Sequence, residues 1–101
     1  MNKTEYLLTC LMEECAEVQQ IASKCMRFGL DNHHPSNPNV TNATELQREL
    51  IDLDAIKFML AEEGTTSIGN ALPGEVRRKI EKVTHYMGVS VECGTLEANH
   101  A

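Results

Sequence analysis

Glu13-Glu14-Cys15-Ala16-Glu17-Val18-Gln19-Gln20-Ile21 lies inside a long run with helical periodicity, and two of its carboxylates decide how the chain is read. At about 100° per residue, Glu14 and Glu17 stand about 60° apart on one helix flank, one turn from each other. Like charges at that spacing repel, so a helix gains nothing by holding them together unless a cation or solvent screens them. The chain then repeats the arrangement: Glu14-x-x-Glu17-Val18-x-x-Ile21 returns as Glu49-x-x-Asp52-Leu53-x-x-Ile56. Two helices, each with paired carboxylates followed by two aliphatic residues at matching positions, bring four acids toward one space. Ligation by oxygen alone suits magnesium or manganese, hard cations that keep waters for a phosphate to displace. A di-iron centre on helices usually adds Glu-x-x-His on two of them. None of His33, His34, His85 and His100 stands in that relation to these acids.

Outward from this stretch, the first helix is predicted over residues 3–28, capped by Asn2 with Glu5 three residues on. Leu7, Leu11, Cys15, Val18, Ala22 and Cys25 draw one apolar stripe, with Glu14 on its edge and Glu17 and Lys24 further round. Cys15 and Cys25 are therefore expected as small core residues. Gly29 is a natural stop. Residues 29–43 hold two prolines and four asparagines without any period, which predicts a loop that is functional or mobile. A loop of that length lets the next helix run antiparallel to the first.

The second helix is predicted over about 44–63, capped by Asn42 or Thr44. Leu46, Leu50, Leu53 and Leu60 form one stripe, and Ile51, Ala55 and Phe58 form another on a different side. A helix apolar on two sides is covered on two sides, so further helices must pack on it. The third helix is predicted over about 74–87, with Val76, Ile80, Val83 and Met87 as its stripe and Gly88 as its stop. Arg77, Arg78, Lys79 and Lys82 form its wet face, and the alternation of Val89, Val91 and Cys93 predicts a short extended segment. The expected fold class is all-α: a single domain over 1–101, an antiparallel helical bundle completed by oligomerisation.

Composition bounds the rest. A chain of 101 residues with no Trp, two Tyr and two Phe must build an aliphatic, Met-rich core. A net charge of −6 argues against binding nucleic acid through a general basic surface. No signal-peptide layout and no run long enough to span a bilayer is present, so a soluble, cytoplasmic protein without membrane partners is expected.

Glu13-Glu14-Cys15-Ala16-Glu17-Val18, Ser23-Lys24-Cys25-Met26-Arg27-Phe28-Gly29 and Glu49-Leu50-Ile51-Asp52-Leu53 together resemble the MazG-like, all-α nucleoside triphosphate pyrophosphohydrolases, a superfamily that includes the dimeric dUTPases. The resemblance covers roughly residues 5–62. It implies hydrolysis of a (deoxy)nucleoside triphosphate to the monophosphate and pyrophosphate, in a homodimer or homotetramer. It implies that Glu14, Glu17, Glu49 and Asp52 hold magnesium, with manganese as a substitute. It further implies that Lys24, and less directly Arg27, meets phosphate. Phe28, His33 and His34 are candidates for a base pocket, and Glu13 or Glu45 for the proton-accepting carboxylate. Two departures stand out: no Trp to stack on a base, and a long Asn- and His-rich loop between the motif helices.

Two other readings stay open on the residues alone. One is a helical interaction module without catalysis, which calls for Glu49 and Asp52 fully exposed and far from Glu14. The other is a nucleotide-binding sensor that keeps the site but lacks a general base.

Overall fold

The structure, a computed structural model, describes residues 1–66 and 73–99. Its three helices are α1 (Lys3–Phe28), α2 (Asn42–Glu62) and α3 (Pro73–Glu92). Among the described residues there is no strand, only an isolated antiparallel bridge between His33 and Thr41. The class is all-α. The chain forms two compact units, Met1–Gly69 and Asn70–Ala101. No described helix is long and apolar enough to cross a membrane.

The first unit is an antiparallel hairpin of α1 on α2. At its open end Lys3 Nζ pairs with Glu63 Oε1 at 2.7 Å. At its closed end the Asn42 and Ala43 amides donate to the Asn32 and Leu30 carbonyls at 2.8 and 3.0 Å. Between the ends, buried and half-buried positions follow one rule. On α1 they include Leu7, Leu11, Glu14, Val18, Ile21 and Cys25; on α2, Asn42, Leu46, Glu49, Leu53, Ile56 and Leu60. Both series step by four and three alternately, the repeat that holds two helices on a shared seam. Leu7, Ile21 and Leu60 are its most buried apolar residues.

This seam corrects the sequence reading at several positions. Cys15, Ala22 and Leu50 are exposed; Glu49 holds the seam place expected of Leu50, and Ile56 joins the seam between Leu53 and Leu60. Successive steps of four, such as Leu7, Leu11 and Cys15, rotate about 80° away from the starting line, whereas a four followed by a three returns to it. Glu14 and Glu49 therefore stand within the seam, not on its edge. An apolar-only stripe misses this, because it skips the carboxylates that complete the repeat.

The loop between α1 and α2 is built, not loose. Gly29 ends α1 with φ 97°, a conformation costly for any residue with a Cβ, while its amide still donates to the Cys25 carbonyl at 3.0 Å. Asn32 Nδ2 donates to the Phe28 carbonyl at 3.1 Å, and Asn32 Oδ1 accepts from the His33 amide at 2.9 Å. The second helix starts earlier than predicted. Its cap is Thr41, whose Oγ1 accepts from the Thr44 amide at 3.2 Å, and not Asn42 or Thr44. Asn42 is thereby free to turn inward; it is 5% exposed and donates through Nδ2 to the Gly29 carbonyl at 2.8 Å.

In the second unit α3 runs through Gly88 to Glu92, so Val89 and Val91 are helical and the expected extended segment does not form. A mid-helix glycine costs about 1 kcal/mol against alanine but does not end a helix that keeps its backbone bonds. The stop is Gly94 at φ 80°, after which the Thr95 and Leu96 amides return to the Ser90 carbonyl at 3.0 and 3.2 Å.

Candidate functional site

Three acids converge midway along the hairpin. One carboxylate oxygen from each of Glu14, Glu17 and Glu49 lies within 4.8 Å of the other two. Glu14 and Glu49 arrive from the seam positions of α1 and α2, and both are half-buried; Glu17, one turn beyond Glu14, is exposed. Glu14 Oε2 and Glu49 Oε2 are each cut off from solvent, with no hydrogen-bond partner. Orphaned charged oxygens are costly, since the seam removes water and returns nothing to the lone pairs. Among the described residues, no lysine or arginine forms an ion pair with any of the three.

The electrostatics follow from that geometry. Burial holds the Glu14 carboxyl above its ordinary range, and the charges of Glu17, Asp52 and Glu13 push it the same way. Glu49 is raised first by the adjoining Glu17 carboxyl, then by burial, then by the charges of Glu17, Asp52 and Glu14. Ionised carboxylates only accept hydrogen bonds, so Glu17 and Glu49 attract each other only across a shared proton or a cation.

One cavity reaches the acids, and a second shares two of its lining residues. The smaller, about 210 Å³, is lined by Glu17, Gln20, Ile21, Lys24, Glu45 and Glu49. The larger, about 880 Å³, lies under the α1–α2 loop and is lined by Phe28, His33, His34 and their neighbours. Lys24 and Glu45 line both, so the two cavities are neighbours that share this wall.

Comparison with known proteins finds no family model that matches this chain, and no curated protein or solved structure that is similar to it.

The structure does not treat the remaining sequence candidates alike. Asp52 is exposed and its oxygens lie outside the three-acid set, although its charge is felt by both Glu14 and Glu49. Glu45 is half-buried and lines both cavities, whereas Glu13 is exposed and lines neither. Phe28 lines the loop cavity; Arg27 is exposed beside it, with its guanidinium carbon 4.8 Å from the Phe28 ring centre. Two contributors went unread in the sequence. Gln20 lines the small cavity beside Glu17, and Asn42 ties the loop to the seam. The signal for Asn42 was its place one heptad before Glu49, which marks it as inward.

Proposed function

We propose that this chain is a magnesium-dependent nucleoside triphosphate pyrophosphohydrolase of the MazG-like kind, splitting a (deoxy)nucleoside triphosphate into the monophosphate and pyrophosphate. The observation that carries the reading is the orphaned pair, Glu14 Oε2 and Glu49 Oε2, set beside Glu17 in the hairpin seam. Glu49, half-buried and close to Glu14, also lacks the exposure and distance that an interaction module calls for.

The donor set fits a hard cation: three carboxylates, no sulfur or imidazole, and two oxygens in want of a positive partner. One oxygen of each lies within 4.8 Å of the other two, near enough for a single cation to draw all three together. Glu14, Glu17 and Glu49 would hold the ion, with Asp52 adding charge from the rim. Bound there, magnesium or manganese neutralises polyphosphate and makes a water more acidic.

The chain's own residues do the rest. Lys24, on the wall between the two cavities, places an ammonium where phosphate oxygens pass from the loop cavity to the acids. Glu45, on the same wall, is better placed than Glu13 to take the proton released as water adds across the anhydride. The hairpin excludes solvent from one side of Glu14 and Glu49, which strengthens every charge interaction there. The assembly we propose is a homodimer or homotetramer, because Ile51 and Phe58 on α2 stay 58% and 53% exposed. The deciding experiment is a pyrophosphate-release screen across the ribo- and deoxynucleoside triphosphates with and without magnesium. Magnesium-dependent release from at least one of them is expected, and no release from any of them removes the enzyme.

A further inference from the structure

The small cavity beside the acids offers a polyphosphate very few donors. Glu17, Glu45 and Glu49 line it, and ionised carboxylates only accept hydrogen bonds. Ile21 is apolar. A polyphosphate oxygen is itself an acceptor, so among the lining side chains only Lys24 and Gln20 can donate to one. Lys24 brings a full charge; Gln20 brings an amide.

Spacing on α1 sets the order in which a ligand meets these groups. Glu17, Gln20 and Lys24 follow one another by three and then four residues, within about 60° of arc on one flank of the helix. Along the axis Gln20 stands about 4.5 Å beyond Glu17 and about 6 Å short of Lys24. Side chains at such spacings lie one above the other, so a ligand that touches the acids and Lys24 passes Gln20. Gln20 is exposed, and among the described residues no hydrogen bond or ion pair engages its side chain or that of Lys24. The Asn42 amide, by contrast, is committed to the Gly29 carbonyl.

We propose that Gln20 is a substrate-binding residue whose Nε2 donates to a phosphate oxygen between the acid cluster and Lys24. The ligand class rests on the pyrophosphohydrolase reading, but the contact itself calls only for a metal-bound polyphosphate and no base. A neutral donor suits this place. A second lysine one turn from Glu17 would pair with that carboxylate, whereas an amide holds phosphate and leaves the carboxylate to the ion.

The test titrates inorganic tripolyphosphate into the full chain in excess magnesium by calorimetry, with phosphorus NMR to show that the probe stays intact. Wild type should bind it. Gln20→Met, similar in length but without a donor, should bind about tenfold more weakly. Gln20→Glu loses the donor and adds a charge of the probe's own sign. It should bind more weakly still, and added salt should narrow its gap from Gln20→Met. Magnesium titrated alone should bind Gln20→Met as it binds wild type, and circular dichroism should show the helices unchanged. The contact is overturned if wild type fails to bind tripolyphosphate, or if Gln20→Met binds it as tightly as wild type. It is overturned too if Gln20→Met loses magnesium by the same factor, since the side chain would then act through the acids. The two readings fail separately. Pyrophosphate release from a nucleoside triphosphate, with Gln20→Met binding the probe like wild type, removes the contact and keeps the hydrolase. Gln20-dependent binding without release from any nucleoside triphosphate removes the hydrolase and keeps the contact.

Discussion

Glu14 and Glu49 meet across the α1–α2 seam, each presenting an oxygen that neither water nor a donor reaches. Both occupy positions where a two-helix seam normally places an aliphatic side chain. The hairpin therefore carries its repulsion at the centre, where relief by a cation has the greatest effect.

The first prediction removes one of these charges. Glu49→Gln keeps size and shape, so the seam should still close, and magnesium-dependent turnover should fall at least a hundredfold. The metal-free melting temperature should rise by a few degrees, because like-charge repulsion and an orphaned ion are both relieved. Full activity in this variant, measured by pyrophosphate release, would discard the metal assignment.

A pH dependence follows from the same pair. Both carboxyls are raised above their ordinary 4.5, so the folded chain binds their protons more tightly than the unfolded chain does. Their stabilising contribution is full below that ordinary value and is lost as pH rises through the higher folded values. In chelator, urea midpoints for wild type should therefore decline relative to Glu14→Gln/Glu49→Gln as pH rises across that window. Magnesium added above the window should close the gap. A gap that widens toward acid pH has the wrong sign and contradicts the geometry.

Asn42 supplies a test of the loop. It is buried, and its single tie to the Gly29 carbonyl links the end of α1 to the start of α2. Asn42→Ala should cost about 1 kcal/mol in urea unfolding, because the loop loses the bond from this buried side chain to the Gly29 carbonyl. Asn42→Asp should cost at least as much, since a carboxylate cannot donate to that carbonyl. A variant as stable as wild type would mean that the loop does not depend on this bond.

Much of this hairpin was legible in the sequence, for physical reasons. Asn2, Gly29 and the spacing from Leu7 to Cys25 mark α1 at both ends, because caps and periodicity are local chemistry. The acid pairs were legible because they repeat. The seam was harder to read, since it is defined by which face meets a partner and not by which residues are apolar; this is why Cys15 and Leu50 were misplaced. Gly88 misled for a related reason: one glycine cannot end a helix whose hydrogen bonds continue past it. The loop's order rests on bonds from Asn32 and Asn42 to backbone groups, which composition registers only as punctuation.

Assembly is tested through the outer face of α2. Ile51 and Phe58 are exposed, and with Met12 on α1 they leave large apolar side chains in water. Light scattering should return a particle at least twice the 11.3 kDa chain mass at micromolar concentration. Phe58→Glu should shift it toward monomer, because a charge buried in an apolar interface goes unpaired. A wild-type monomer under these conditions removes the oligomer.

Lys24 separates catalysis from a passive acidic surface. It is half-buried on the wall shared by both cavities, within reach of ligands in either. If its ammonium meets phosphate, Lys24→Ala should lower kcat/KM for a nucleoside triphosphate by about tenfold to a hundredfold. Magnesium affinity should barely move, since an ammonium is no metal ligand and its loss leaves the three carboxylates in place. Lys24→Arg should rescue only in part, because a planar fork replaces a compact charge. As a plain solvated helix residue, Lys24 would change stability by about half a kcal/mol or less and kinetics not at all. Steady-state kinetics beside a magnesium titration distinguish the two. Unchanged kinetics in Lys24→Ala would take the phosphate contact away from this wall and leave the acid cluster without its cationic neighbour in the reaction.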